Sequence, residues 1–215
     1  MKTIEQRIAE GREYRHIVNI ECRAADEENN YIVDGYATTF EQPYTLFENK
    51  DYIVREVIDK DAFDSTDMSD VIMQYDHVGR VYARTGNKTL ALTVDDYGLH
   101  IRADLGGTAI GRQLYEEIRG GYTNKMSFGF TVRKDEVTEE PNGEEKDVLL
   151  RRIRDIGKLY DVSAVSIPAN DTTEITARSF ADGAIAKAET ERMNAEIRNT
   201  KIKALEDRLK ALEER

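Results

Sequence analysis

The chain has 215 residues, 40% of them hydrophobic and 34% charged, with 31 Lys and Arg against 42 Asp and Glu for a net charge of -11. That length suits one substantial core plus an appendage, and the acidic balance opposes phosphate backbones and anionic lipid, so neither nucleic acid nor a membrane is an expected partner. Cys22 is the only cysteine, which excludes an intrachain disulfide and cysteine-based metal sites and points to a reducing, cytosolic setting.

The N-terminal residues Met1 to Arg7 lack an apolar signal core, and no later stretch approaches the roughly 18 apolar residues of a membrane span. Residues up to about Glu13 read as a polar leader or a short helix. From Arg15 the texture alternates: Val18, Ile20 and Cys22, then Ile32, Asp34, Tyr36 and Thr38, predict two antiparallel strands joined by a turn over residues 26–30. Gln42-Pro43 and Asn49-Lys50-Asp51 bracket an expected loop, Tyr52 to Ile58 an expected strand, and Asp59 or Asp61 an expected cap for a short helix through Phe63.

Val71 to Tyr75 predicts a brief strand that delivers Asp76-His77 at its end. Val81–Arg84, Leu90–Val94 and Leu99–Asp104 follow as short strands of a meander. Thr108 to Arg119 predicts a helix, with Ile110, Leu114 and Ile118 at helical spacing, a Thr cap and Gly120-Gly121 as the stop. Met126 to Arg133 is then a strand, Glu136 to Lys146 an acidic loop, and Val148–Ile156 and Leu159–Ile167 two strands joined near Gly157. The expected fold is α+β, mainly β, with a curled or closed antiparallel sheet and one or two packed helices.

Beyond Ala184 the chain turns to Ala, Glu, Lys and Arg without Gly or Pro, and Ile202, Leu205, Leu209 and Leu212 step by three and four. This predicts a helical, coiled-coil-like tail that seeks a partner, marginal alone in water. The organisation is read as a leader over 1–14, a β-rich domain over 15–180 and a tail over 181–215.

Among three histidines, His16 enters the first strand and His100 alternates with apolar neighbours, so both read as surface or edge residues. His77 lies where a strand ends in a turn, a place where a rigid scaffold holds functional groups, though a structural role is equally open to it. In Met126-Ser127-Phe128-Gly129-Phe130 the two Phe share one strand face while Ser127 and Gly129 share the other, leaving the hydroxyl beside a spot without side chains. An ordinary strand serine next to a bulge glycine is the plainer reading.

Asp161 heads a strand of alternating small and apolar residues and could orient an imidazole; Asp76 competes, but strand neighbours point to opposite faces. A serine becomes nucleophilic when an imidazole takes its proton and an acid fixes the imidazole, which gives these three residue types a joint use. Cys22 and His16 are separated by about 20 Å of strand rise and do not form a pair, so Cys22 reads as a small buried residue. Three dispersed histidines offer no metal-ligand spacing, and no cofactor is expected.

The segments Met73-Gln74-Tyr75-Asp76-His77, Gly98-Leu99 before the Thr108 helix, Met126 to Phe130, and Leu159-Tyr160-Asp161-Val162-Ser163 through Asn170 together resemble the tailed-phage prohead maturation proteases, relatives of the herpesvirus assemblins, over roughly Arg15 to Ala177. The resemblance implies a small antiparallel β-barrel flanked by helices, with His77 as general base, Ser127 as nucleophile and Asp161 as orienting acid. Family members often carry Glu at the third position. It further implies a serine endopeptidase that acts inside the assembling prohead in the host cytoplasm. Its substrates would be the scaffolding region of the major capsid protein, free scaffold and itself, and a homodimer or higher assembly is implied. The tail fits a docking or self-cleaved segment. The rival reading is a catalytically silent assembly protein that keeps the barrel. Pro168-Ala169-Asn170 is the candidate source of oxyanion donors, with Arg151 or Arg152 as an alternative, although a solvated strand edge is the expected place of both arginines.

Overall fold

The computed structural model describes residues 3–24, 31–123, 125–140, 146–165 and 171–213. The first helix, α1 (Ile4–Ala9), is capped by Thr3, whose hydroxyl accepts from the Gln6 amide while the Gln6 side chain accepts from the Thr3 amide, a reciprocal arrangement that satisfies two free donors at once. Then come β1 (Arg12–Ala24), β2 (Ile32–Thr39), β3 (Tyr44–Glu48), β4 (Tyr52–Ile58), β5 (Ile72–Tyr75), β6 (Val78–Arg84), β7 (Leu90–Val94), β8 (Gly98–Asp104), α2 (Ala109–Arg119), β9 (Lys125–Glu140), β10 (Asp147–Val165) and α3 (Asp171–Glu213).

The strands hydrogen-bond in the order β3-β4-β10-β9-β1-β2-β8-β7, with β5 paired to β10 and β6. The sheet is mixed: β4 runs parallel to residues 147–153 of β10 and β5 parallel to residues 161–164, so the two share one edge of the long strand end to end. This corrects the expected antiparallel sheet, and among the described residues the strand path does not close into a barrel. The meander also divides. β6 pairs with β5 and β7 with β8, so the middle of the chain forms two hairpins rather than one continuous run.

Several boundaries differ for physical reasons. β10 is one strand; Gly157 lies at a register break rather than a turn, and further breaks at 153/155 and 159/161 bend the strand without ending it. The acidic segment is partly strand, because β9 continues to Glu140 against β10. A strand, β3, occupies the expected loop after Pro43, and the expected helix near Phe63 is instead a set of hydrogen-bonded turns, such as the Ala62 amide to the Asp59 carbonyl at 3.1 Å. The expected turn over residues 26–30 lies outside the described residues.

The core forms where α2 covers the sheet. Leu114 and Ile118 point inward among Val33, Leu99, Ile101 and Met126, and the Phe128 and Phe130 rings stack at 4.5 Å. Each fully buried ring of this kind contributes about 1.5–3 kcal/mol, which pins the face of β9 and thereby the opposite face too. A smaller cluster joins Tyr52, Val54 and Leu149 to Ala181, Ala184 and Ala188 of α3. The C-terminal helix thus starts ten residues before the expected tail and its first half packs on the body. Farther along, Ile202 and Leu205 are exposed; the side chains of Leu209 and Leu212 lie outside the described residues. Among the described residues no helix is long and apolar enough to cross a membrane.

Candidate active site

With Phe128 and Phe130 turned into the core, Ser127 and Gly129 occupy the other face of β9, as strand alternation requires. The β9–β10 register places Ser163 opposite Ser127 and Asp161 opposite Gly129, while β5 sets Gln74 beside Ser163 on the far side. A row of polar residues therefore crosses the sheet.

The β5–β6 hairpin then carries His77 over this row. Its turn is unusual: Asp76 and His77 adopt φ of 48° and 61°, followed by Gly79 at 75°. Left-handed backbone costs a residue with a side chain roughly 1–2 kcal/mol, so surrounding contacts must hold it. They include the Asp76 amide donating to the Ala164 carbonyl at 3.0 Å, the Gln74 side-chain amide to the Gly79 carbonyl at 3.3 Å, and the Arg7 guanidinium to the His77 carbonyl at 3.1 Å.

The imidazole bridges two strands. Nδ1 lies 2.5 Å from Asp161 Oδ1 and Nε2 lies 2.6 Å from Ser127 Oγ. An ionised carboxylate only accepts, so Nδ1–H is the donor to Asp161 and Nε2 is left to accept from the hydroxyl. The three expected residues are thus brought together. They are also enclosed: His77 is 2% exposed, Ser127 1% and Asp161 0%. The Arg15 carbonyl lies 2.9 Å from Ser127 Oγ, so the single hydroxyl proton has two acceptors within reach.

Asp161 is held from several directions. Oδ1 also accepts from the Ser163 hydroxyl at 3.0 Å, while Oδ2 faces the Arg12 guanidinium at 3.6 Å, an ion pair too long for a hydrogen bond. Burial opposes ionisation of this carboxyl, but the His77 ring beside it, the hydrogen bonds from His77 and Ser163 and the Arg12 charge outweigh burial and hold it below the ordinary carboxylate range. Arg12 itself lies over the Tyr160 ring at 3.6 Å. Tyr14 meets the His77 ring edge-on with centroids 4.5 Å apart.

Gly129 fits closely against the acid. A Cβ there would sit 2.5 Å from Asp161 Oδ2 and 2.8 Å from Tyr14 Cε1, so the missing side chain makes room for the acid. Gly129, Ser163, Tyr14 and Arg12 were not singled out for these contacts by sequence reasoning. The pairing that assembles them is cross-strand register, which leaves no local signal. His100 pairs with Asp34 at 2.9 Å, away from the site. The His16 backbone lies opposite Ser127 in the β1–β9 register, but its side chain and that of Cys22 lie outside the described residues, as does the Pro168-Ala169-Asn170 segment.

Neither arginine considered for the oxyanion reaches Ser127. Arg152 bonds to Glu41 at 2.6 Å. Arg151, expected at a solvated edge, is buried and bonds to Glu13, Glu56 and Asp135 at 2.6–3.0 Å, while Arg15 bonds to Glu13 and Glu56 from the other side. Two guanidiniums and three carboxylates meet there, so each charge has an opposite partner, which is the condition under which charged groups tolerate burial. Burial disfavours ionised Glu56, yet its two arginines and the Tyr44 hydroxyl bring its carboxyl down to about 2.

No curated protein and no solved structure matches the chain. The family described as caudovirus prohead serine protease matches residues 18–187 of the 215, a span that takes in β5, β9, β10 and the first part of α3. The chain therefore belongs to the caudovirus prohead serine protease family.

Proposed function

We propose that the chain is a prohead maturation endopeptidase whose proton-transfer unit is Ser127, His77 and Asp161. Ser127 Oγ attacks a peptide carbonyl, His77 Nε2 takes the hydroxyl proton and later returns it to the leaving amine, and Asp161 fixes the tautomer and stabilises the imidazolium while staying ionised. The observation that carries this reading is the unbroken relay of 2.6 Å and 2.5 Å through one imidazole.

Membership of the family supports capsid proteins as the substrate class. In this reading the substrates are the scaffolding region of the major capsid protein, free scaffold and the protease itself, cut within the assembling prohead in the host cytoplasm. The protease works there as a homodimer or a larger assembly. The leader over 1–14, the protease domain over 15–180 and the tail over 181–215 belong to the same proposal, with the exposed end of α3 as the docking or scaffold-like part. So does a small barrel, which the bends along β10 would help to close.

The test is coexpression of wild type and Ser127→Ala with the cognate capsid protein, followed by intact-mass analysis. A nucleophilic serine predicts a loss of roughly four to six orders of magnitude in turnover. Unchanged processing would hand the chain to the rival reading, a silent assembly protein.

A further inference from the structure

The acid of the proposed relay has a partner outside that relay. Ser163 is fully buried and lies two residues along β10 from Asp161, so both side chains leave the same face. Its hydroxyl is 3.0 Å from Asp161 Oδ1, the same oxygen that receives His77 Nδ1–H. Its backbone stands between those of Ser127 and Gln74 in the register of the sheet. Among the described residues no other hydrogen bond fixes Oδ1, and Oδ2 has only the more distant Arg12 charge.

We propose that Ser163 is a positioning residue for the reaction: its hydroxyl sets the carboxylate rotamer of Asp161 and moderates the charge that the carboxylate presents to His77. This rests on the reading of Ser127, His77 and Asp161 given above. The physical argument has two parts. A carboxylate with one hydrogen bond can rotate about its Cβ–Cγ bond, and a second donor on the same oxygen removes that freedom, which keeps the imidazole aimed at Ser127. A donor on Oδ1 also draws off part of its negative charge, so the imidazolium is stabilised less strongly than by an undiluted carboxylate. Removal of Ser163 therefore misaligns the base and at the same time raises its proton affinity.

The experiment follows the rate at which a fluorophosphonate probe labels Ser127, measured from acid to neutral pH. Ser127 Oγ displaces fluoride from phosphorus, and its proton passes to His77, so the rate reports the neutral imidazole without any need for the natural substrate. Ser163→Ala slows labelling about tenfold and moves the acid limb of the profile to higher pH, because His77 then holds its proton to a higher pH. Ser163→Thr, which restores a hydroxyl, returns the limb toward wild type. Ser163→Cys, of similar size and a weaker donor, gives an intermediate profile and serves should the alanine variant not fold.

A wild-type rate and profile in Ser163→Ala would overturn the proposal. So would a slower rate with an unmoved limb that Thr does not restore, since a packing role alone behaves that way. Ser127→Ala must remain unlabelled in the same assay. Absence of labelling in wild type, or labelling of Ser127→Ala equal to wild type, would instead overturn the underlying nucleophile assignment and this inference with it.

Discussion

Strand β1 separates two buried polar clusters that look alike in composition and differ in completeness. One face carries Glu13 and Arg15 into the cluster with Glu56 and Arg151; the other carries Arg12 and Tyr14 against Asp161 and His77. In the first cluster each charge meets an opposite charge, and Tyr44 adds a hydroxyl to Glu56. In the second, Tyr14 Oη, Gln74 Oε1 and Asp161 Oδ2 have no hydrogen bond among the described residues, the Ser127 proton has two acceptors, and His77 sits on left-handed backbone. A satisfied polar cluster fixes a fold, whereas one that keeps unspent bonding capacity under strain has the character of a reactive site.

The strongest way to sharpen that contrast is Asp161→Asn. The amide preserves shape but favours the wrong imidazole tautomer, so cleavage of the capsid protein falls by about four orders of magnitude, while the denaturation midpoint moves little; intact-mass kinetics and urea titration read the two effects. A midpoint shift as large as that of a cluster variant would erase the distinction between the two faces.

Glu56→Ala should show the reverse. It leaves Arg15 and Arg151 buried with too little counter-charge and costs roughly 3–5 kcal/mol of stability by chemical denaturation. The pH dependence follows from the direction of the shift. Glu56 titrates at about 2 in the folded protein against 4.5 ordinarily, so its contribution is complete above about pH 4.5 and is lost as pH falls toward about 2. Glu56→Gln therefore flattens the acid limb of the stability curve in that window; an unchanged slope would remove Glu56 as its source.

Gly129→Ala tests the space made for the acid. The new methyl collides with Asp161 Oδ2 and the Tyr14 ring, costs about 1–3 kcal/mol, and lowers cleavage about a hundredfold by displacing the carboxylate. Thermal melts and cleavage rates measured together check it. Truncation of Met193–Arg215 has the smallest expected effect on either cluster. It spares Ala181, Ala184 and Ala188 and the Arg192 pairs with Glu139 and Asp147, so peptide hydrolysis persists while incorporation into proheads falls. Equal loss of both, compared by cleavage assay and by the protease content of purified proheads, would refute docking by the tail.

Local signals were legible in the sequence where they decide the structure. Thr108, Leu114, Ile118 and Gly120 mark α2, and Tyr52–Ile58 reads directly as β4. Residue types made Ser127, His77 and Asp161 candidates, because a hydroxyl, an imidazole and a carboxylate have a joint use, but plainer readings stood beside each and only the family resemblance selected the three together. Long-range pairing was not legible. Nothing near Asp147 announces a parallel partner in β4, and Gly157 has the same appearance in a bulge as in a turn. Arg151 was misplaced at the surface because isolated charges default to water, and the groups that bury it, Glu13, Glu56 and Asp135, come from other strands.

The enclosure of the relay has a kinetic consequence. With Ser127 and His77 almost wholly screened from solvent, a polypeptide could reach the hydroxyl only if the surrounding residues move, and on the proposed reading the observed specificity constant is then the product of the open population and the rate of attack. Mutations that loosen the packing around Ser127 would then accelerate proteolysis without touching any reacting atom. Those that tighten it would slow cleavage, so on the proposed reading the pace of the reaction depends on the packing around Ser127 as well as on the chemistry.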